Sequence, residues 1–422
     1  MILVALGTWI GFAAAVVGFM GITLIKGWGA AGGVAGFLPY AVTASFSFSV
    51  IPLFILMGYF AFYAGLTRDL FSTARGWVGQ FHGGLAIATA FGSAGFGACS
   101  GSSTAAAAVM ARVSIPEMKK YGYDLKLAAG AVAASGTMAS MIPPSVVMVI
   151  YGVITEQSIG TLLIAGFIPG ILEAILYSGM IYTRCRINPR LGAALPAVSW
   201  RERIGSLRGV WGMVVLMVMI LGGIYTGVFT PTEAGGIGAF GALVMALSLR
   251  RVSWADLKGS VLETAKTTAM IFATLIGVLI LLRFFALSGV TGAFTGFMLG
   301  LPWPPIGILA VILVIYVFLG MFVSATGMLM LTLPLVFPVV VGLGYHPIWF
   351  GVIAVRMAEV AFITPPVGMN VYAVRAVTPD ITVEDIFRGT FWFLAMDMIN
   401  LVLLIAFPII ALWLPSTMMK II

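Results

Sequence analysis

The chain has 422 residues, of which 61% are hydrophobic and only 9% are charged. Soluble domains carry about 25% charged residues, so this composition excludes a soluble globular protein and indicates a polytopic α-helical membrane protein. Two cysteines exclude a disulfide framework, and the net charge of +8 is interpreted as loop charge that sets topology, not as a nucleic-acid surface.

Apolar segments long enough to cross a bilayer recur along the whole chain. The first one lacks a basic start and a small-residue cleavage site, so it is interpreted as a retained helix and not as a signal peptide. Nine spans are predicted, at residues 3–25, 43–65, 126–155, 160–184, 210–229, 231–249, 261–287, 346–375 and 388–414. Two further apolar stretches, 83–111 and 304–341, are predicted to be re-entrant hairpins.

The basic residues support this topology. With both hairpins re-entrant, 17 of the 22 Lys and Arg residues fall on one side, which the positive-inside rule makes cytoplasmic. These residues are Arg68, Arg75, Arg112, Lys119, Lys120, Lys126, Arg184, Arg186, Arg190, Arg201, Arg203, Arg208, Arg250, Arg251, Lys258, Arg375 and Arg388. A full crossing by either hairpin would swap the sides downstream and remove the bias. The N-terminus is therefore predicted to be cytoplasmic and the C-terminus to lie outside.

The two halves of the chain repeat an unusual pattern of hydroxyls and double prolines. An offset of 222 residues aligns Ser102 with Ser324, Thr104 with Thr326, Pro116 with Pro338, Pro143 with Pro365 and Pro144 with Pro366. Because the charge-derived topology opens the two hairpins to opposite sides, the halves are predicted to form an inverted repeat, as in many secondary transporters. The predicted fold is all-α and polytopic, with two re-entrant helical hairpins and two broken helices.

The same offset divides a single integral membrane domain into parts. Residues 83–184 and 304–414 are predicted to be the two repeats, and residues 1–82 and 210–303 the scaffold helices and arms. The helix at 210–229 would map almost entirely before residue 1. Either the chain starts short, or another polypeptide supplies the matching helix.

The broken backbone predicts one small-cation site in each half. Adjacent prolines remove N–H donors and leave upstream carbonyls unpaired, while each hairpin tip ends one half-helix and begins another. The candidate Na⁺ ligands are Ser102, Ser103, Thr104, Ile142, Pro143, Ser145, Ser324, Thr326, Gly327, Thr364 and Pro365. With no carboxylate expected nearby, the cation is predicted to be monovalent, because Ca²⁺ sites recruit Asp or Glu. The alternative is packing, since small residues also line tight helix crossings.

Charged residues inside apolar segments are the other candidates. Arg356 and Glu359 share one helix face, so they form either a structural ion pair or part of a substrate site. Glu173 and Asp397 are interpreted as lone intramembrane acids, with either a buried structural role or a role in proton coupling. Glu233 is interpreted as part of a helix-capping box with Thr230. The candidate substrate-binding residues are Ser103, Pro144, Gly368, Asn370 and Arg356.

Several stretches together resemble the large membrane subunit of tripartite ATP-independent periplasmic (TRAP) transporters. They are "IPLFILMGYF" (51–60), "GFGACSGSSTAAAA" (95–108), "IPEMKKYGYD" (115–124), "IPPSVVMVIYG" (142–152), "TEQSIGTLLIAGFIPGIL" (155–172), "FTPTEAGGIGAF" (229–240), "LGYHPIWFGV" (343–352) and "ITPPVGMNVY" (363–372). They follow one another along nearly the whole chain, which makes the resemblance specific.

The resemblance implies a multi-pass protein of the bacterial inner membrane. Its implied partners are a small TRAP membrane subunit and a periplasmic solute-binding protein. It implies Na⁺-driven uptake of an organic anion, such as a C4-dicarboxylate or a sugar acid, by an elevator mechanism, with Na⁺ as the coupling ion and no other cofactor. Many members of that family carry Asp where this chain has Ser324 and Asp where it has His346. The difference at Ser324 leaves the second hairpin tip without a carboxylate, so a cation there would bind neutral oxygens.

Three other classes of function remain as alternatives. The first is a stand-alone divalent-anion/Na⁺ symporter of similar inverted-hairpin architecture. The second is a channel, in which broken helices would line a filter. The third is an intramembrane enzyme, but no Ser/His or paired-carboxylate set at a plausible depth supports one, so the protein is predicted not to be an enzyme. The sequence also lacks a nucleotide-binding loop for ATP hydrolysis.

Overall fold

A computed structural model describes residues 7–418, apart from the side chains of residues 98–100, and this part of the chain contains nineteen α-helices and no strand. The first ten are α1 (Ile10–Lys26), α2 (Trp28–Thr43), α3 (Val50–Tyr63), α4 (Leu66–Val78), α5 (Gly84–Ser100), α6 (Ser103–Lys120), α7 (Leu125–Gly136), α8 (Val146–Thr155), α9 (Ile159–Ile187) and α10 (Trp200–Tyr225). The others are α11 (Pro231–Ser248), α12 (Trp254–Ser288), α13 (Val290–Leu299), α14 (Pro305–Gly320), α15 (Ala325–Gly342), α16 (Pro347–Ala361), α17 (Met369–Val377), α18 (Val383–Ala406) and α19 (Ile409–Ser416).

Among these residues, 6 helices are long and apolar enough to cross a membrane. They are α9, α10, α12, α15, α18, and α3 together with the short 3₁₀ turn before it. The chain is therefore a multi-pass membrane protein, as its composition predicts.

Both predicted hairpins are present. In the first, α5 and α6 meet at Gly101, whose φ of 59° is the left-handed conformation that glycine adopts most readily. In the second, α14 and α15 meet just before Ser324. Each second arm begins with a serine N-cap, because the Ser102 and Ser324 hydroxyls accept hydrogen bonds from backbone N–H groups of the next turn.

Both predicted breaks are also present, each at a double proline. The first separates α7 from α8, and Ser145 caps the new helix by accepting from Met148 N at 3.2 Å. The second separates α16 from α17, which begins after Gly368. Proline lacks an N–H and cannot continue the ladder of the preceding helix, so each pair ends a helix inside an apolar segment.

The offset of 222 residues also aligns the first and last residues of helices in the two halves of the chain. It moves α6 (103–120) onto residues 325–342, the bounds of α15, and it moves the start of α7 onto the start of α16. It also places α1 at 232–248, within α11. The fold is the inverted repeat of two hairpins and two broken helices that the sequence predicts.

The structure differs from the prediction in two places. Helices α2, α4 and α13 lie where no span or hairpin is predicted, because α2 is rich in glycine and α4 is amphipathic and polar, so neither has the profile of a span. The last predicted span is interrupted after α18 by Pro408. Residues 3–6 of the first predicted span lie outside the described residues.

The two largest apolar cores of the described chain each contain helices of both repeats. One core packs the first hairpin and α7 against α17 and α18. The other packs the second hairpin and α16 against α8 and the scaffold helices α3 and α12. At the end of the first hairpin, Lys119 pairs with Asp380 of the second repeat and holds the pKa of that carboxyl below its ordinary value. These two residues are 261 positions apart in sequence, so the ion pair joins the two repeats.

Candidate functional site

The two hairpin tips meet at one cavity of about 250 Å³. Each tip contributes four consecutive residues, Gly101–Thr104 from the first hairpin and Ser324–Gly327 from the second. Helices α1, α3 and α12, in the segments predicted to be the scaffold, contribute mainly apolar side chains such as Ile10, Ile55 and Ile271, together with Thr267 and Thr274 of α12. Most of the polar residues that line the cavity therefore come from the two repeats.

Ser103 is the most deeply buried hydroxyl of the first tip, at 4% exposed. Its Oγ lies 3.1 Å from Ser140 Oγ and donates a hydrogen bond to Glu359 Oε2 at 2.5 Å. Ser102 caps α6 by accepting from Ala105 N, and its Oγ lies 3.5 Å from Thr104 Oγ1. The first tip thus places a chain of hydroxyls beside a carboxylate.

Glu359 corrects the prediction that no carboxylate lies near the cation sites. It belongs to α16 of the second repeat, yet it lines the cavity at the first tip because the two repeats interlock. Sequence reasoning singled out Glu359 only as a partner of Arg356. The sequence feature that could have identified Glu359 as a cavity residue is its position one helical turn before the "ITPP" break, at the level of a hairpin tip.

The second tip is more open and less charged. Ser324 is exposed and accepts a hydrogen bond from Gly327 N at 3.2 Å, while Thr326 is half-buried and lines the cavity. Glu359 is the one acidic residue among those that line the cavity in the described part of the chain, and its hydrogen bond goes to the first tip. The two tips therefore differ in charge as well as in exposure.

The break residues lie farther from the cavity than predicted. The six tip candidates line it, whereas the five candidates at the breaks do not: Ile142, Pro143, Ser145, Thr364 and Pro365. Thr364 donates to Val360 O of its own helix at 2.7 Å, and Pro365 lies in a separate surface groove. At the breaks, packing and capping account for the hydroxyls.

Arg356 is fully buried and does not line the cavity. Its guanidinium pairs with Glu173 at 2.6 Å and with Asp397, which also accepts from Tyr177 Oη at 2.5 Å. Glu173 and Asp397 are therefore not lone acids, and the ion pair predicted for Arg356 exists with these partners instead of with Glu359. This triad ties α16 to α9 and α18.

Three other substrate candidates, Pro144, Gly368 and Asn370, lie at or beside the breaks and contact neighbouring helices or are buried. Asn370 is buried and donates to Ala133 O at 3.0 Å, which joins α17 to α7. Gly368 has a φ of +57° and packs against Phe387, and Pro144 is buried. Of the five substrate candidates, only Ser103 lines the cavity.

The predicted capping box at the start of α11 is present. Thr230 accepts from Glu233 N at 3.3 Å, and Glu233 Oε2 accepts from Thr230 N at 2.8 Å. Glu233 is thus engaged in starting a helix and lies outside the cavity lining.

The family model for the DctM component of tripartite ATP-independent periplasmic transporters matches residues 1–410. The chain belongs to this family. A DctM relative is the C4-dicarboxylate TRAP transporter large permease protein of Pseudomonas aeruginosa, 33% identical over 379 residues that cover 89% of this chain and 88% of the relative. The sialic acid TRAP transporter large permease protein SiaM of Vibrio cholerae is 33% identical over 375 residues, covering 88% and 87%.

The fold of this DctM-family chain also resembles a solved structure. The Alcanivorax borkumensis YdaH transporter, whose crystal structure has an unusual topology, superposes with a TM-score of 0.64 over 90% of this chain and 87% of that one. The sequence identity is 14%, so this likeness concerns the fold alone. The curated TRAP relatives are named as transporter permeases, and the chain is accordingly a transport protein and not an enzyme.

Proposed function

We propose that this chain is the large permease subunit of a TRAP transporter that takes up an organic anion, a carboxylate such as a C4-dicarboxylate or sugar acid, in symport with Na⁺. It acts in the bacterial inner membrane with a cytoplasmic N-terminus, beside a small membrane subunit, and receives its substrate from a periplasmic binding protein. The observation that carries the proposal is the single cavity at which both hairpin tips converge.

The chemistry of the cavity suits both an anion and a small cation. Helices α6 and α15 begin at the two tips, so their unpaired N–H groups and positive dipole ends favour a carboxylate. Hydroxyl oxygens of Ser103, Thr104 and Thr326 line the same space and suit Na⁺. The volume of about 250 Å³ lies below the roughly 300–1,000 Å³ of drug-sized pockets, which favours a small carboxylate.

The scaffold side of the cavity supports an elevator motion. The apolar surface of α1, α3 and α12 offers few hydrogen-bond partners that the repeats would have to give up while sliding past it. In this mechanism both tips carry substrate and ions together across the membrane against a fixed scaffold.

Uptake into proteoliposomes tests the proposal. We expect the reconstituted chain, with its small subunit and binding protein, to accumulate a radiolabelled dicarboxylate under an inward Na⁺ gradient and to fail under an equal K⁺ gradient. The ionophore monensin, which collapses the Na⁺ gradient, should abolish accumulation. Equal uptake in Na⁺ and K⁺ would contradict the proposal.

The same preparation separates the proposal from a stand-alone symporter. Omitting the binding protein and the small subunit is expected to stop uptake. Saturable, Na⁺-driven uptake by this chain alone would favour the stand-alone alternative. Flux that neither saturates nor follows the Na⁺ gradient would favour a channel.

A further inference from the structure

Helix α4 packs antiparallel against the start of α10, on the side of the predicted topology that carries most of the basic residues. Thr73 Oγ1 donates to Ser206 O at 2.9 Å, and Gln80, just past the end of α4, accepts from Arg203 Nη2 at 2.6 Å. Residue numbers that rise along α4 thus meet numbers that fall along α10. The contact involves the part of α10 that precedes its predicted span at 210–229, so we expect this part to lie at the membrane–water interface.

Four exposed arginines gather at one end of this helix pair. This arginine cluster consists of Arg68, Arg208, Arg250 and Arg251. Asp69 brings its members together, because it pairs with Arg251 at 2.5 Å and its Cβ would lie 3.2 Å from a Cβ at Gly209. Arg68 and Arg208 directly precede those two contacting residues, Asp69 and Gly209. Asp69 is the one acid that pairs with any of the four in the described chain, so the cluster keeps an excess of positive charge.

An exposed apolar stripe of α10 begins beside this cluster and continues into the predicted span. Its members recur every three or four residues, so they share one face of the helix. The stripe consists of Trp200, Ile204, Leu207, Trp211, Val215 and Val218. Ile204 and Trp211 are 62% and 61% exposed, and Arg208 directly follows Leu207. Charge and apolar surface therefore meet on α10 just where it enters the membrane, as the headgroup and acyl chains of a phospholipid require.

The neighbouring helix α11 leads to the same arginines. It packs closely on α10, since a Cβ at Gly241 would lie 2.5 Å from Leu216 Cδ2. Its exposed apolar residues near this end are Phe240, Val244 and Leu247. Arg250, two residues past the end of α11, has a φ of 51°, a left-handed conformation that few residues other than glycine adopt. Both helices thus carry exposed apolar residues up to the arginine cluster.

An anionic lipid headgroup is the occupant that this combination of charge and apolar surface fits. Guanidinium groups suit phosphate, because their planar donors can bind two phosphate oxygens at once. Basic pockets between membrane helices on the cytoplasmic side are typical binding places for anionic headgroups. We propose that the arginine cluster binds the headgroup of an anionic phospholipid whose acyl chains lie along the apolar stripe of α10. This site goes beyond the proposed transport function, and the bound lipid holds α4, α10 and the α11–α12 loop together.

Native mass spectrometry of the purified full chain with added lipid tests this site. We expect phosphatidylglycerol to be retained several-fold more than phosphatidylethanolamine with the same acyl chains, because only phosphatidylglycerol carries a net negative charge. Arg68→Gln combined with Arg208→Gln should weaken phosphatidylglycerol binding by about tenfold or more, equivalent to about 1.4 kcal/mol per tenfold. Equal retention of the two lipids by the unmodified chain, or an unchanged preference in the double variant, would contradict the site.

Arg186→Gln combined with Arg190→Gln is the matched control. Both arginines are exposed, Arg186 in the last turn of α9 and Arg190 just after that helix. The control removes the same charge from the same side of the predicted topology, so it should keep the preference for phosphatidylglycerol. A loss as large as that in the Arg68 and Arg208 double variant would show attraction to the basic side in general and would overturn the site.

The double variant should fold normally. Arg68 and Arg208 are exposed, and their side chains make no ion pair or hydrogen bond in the described chain. Size-exclusion profiles and melting temperatures establish whether it folds. If it does not, Arg208→Gln alone is compared with Arg190→Gln alone, and unchanged phosphatidylglycerol binding in Arg208→Gln overturns the site.

Two other occupants of this surface would give different results. Inorganic phosphate that binds through the same arginines, with phosphatidylglycerol retained no better than phosphatidylethanolamine, would assign the cluster to a free anion. Loss of the lipid preference when the small membrane subunit is bound would assign the apolar stripe to a protein contact. Either result overturns the lipid site, whereas a preference that persists with phosphate and with the small subunit present supports it.

Discussion

Replacing Arg356 with alanine is expected to remove most of the folded protein from the membrane. Arg356 is fully buried and pairs with both Glu173 and Asp397. Removing one partner of a buried ion pair leaves uncompensated charge and costs about 3–5 kcal/mol, and here two carboxylates lose the same partner. That is a large share of the roughly 5–15 kcal/mol that stabilises a typical protein.

Fluorescence-detected size-exclusion chromatography of a fusion to green fluorescent protein measures this effect. Arg388→Ala is the matched control, because Arg388 is exposed and pairs with the exposed Glu384 one turn away. We expect Arg388→Ala to give an unchanged monodisperse peak. Adding Glu173→Gln and Asp397→Asn to Arg356→Ala should recover part of the folded peak by removing the orphaned charges. A melting temperature equal to that of the unmodified chain in Arg356→Ala alone would contradict this account.

Replacing Gly389 with alanine is expected to destabilise the crossing of α7 and α18. A Cβ atom at Gly389 would lie 1.9 Å from Lys126 O and 3.1 Å from Gly130 Cα, so the two backbones would have to separate. Overpacking of this kind usually costs about 1–3 kcal/mol, and the contact here is with backbone, which cannot change rotamer. Since α18 also carries Asp397, we expect the melting temperature to fall markedly.

Gly179→Ala provides the matched control on a neighbouring helix. A Cβ at Gly179 would meet no atom within 4 Å, and this glycine lies within α9. Alanine is a better helix former than glycine by about 1 kcal/mol, so Gly179→Ala is expected to leave the melting temperature unchanged or to raise it. A Gly389→Ala protein as stable as the Gly179→Ala protein would contradict the close crossing.

Much of the fold could be predicted because the residues that end its helices act through local sequence. Double prolines end helices whatever surrounds them, and Ser102 and Ser324 carry the cap chemistry that begins the second arm of each hairpin. A shared offset then relates the two halves without any knowledge of contacts. The same local rules do not predict α2, which has only 16 residues and contains Pro39, or α4, which is polar and amphipathic.

The contacts of the site could not be predicted in the same way. Ser103 and Glu359 are 256 residues apart, and their hydrogen bond depends on how α16 packs beside the first tip. The partners of Arg356 lie on α9 and α18, whereas sequence spacing pointed to its helix neighbour Glu359. Local sequence places hydroxyls at both tips, but only the interlocked packing of the two repeats brings the Glu359 carboxylate to the first tip.

The dependence of uptake on Na⁺ concentration in Thr104→Val and Thr326→Val tests the central claim, that both hairpin tips hold coupling ions, most directly. Valine keeps the shape of threonine and removes the hydroxyl from the cavity lining at one tip in each variant. We expect both variants to insert normally, to need several-fold more Na⁺ for half-maximal uptake and to respond less steeply to Na⁺. An unchanged Na⁺ dependence in both variants would contradict the claim.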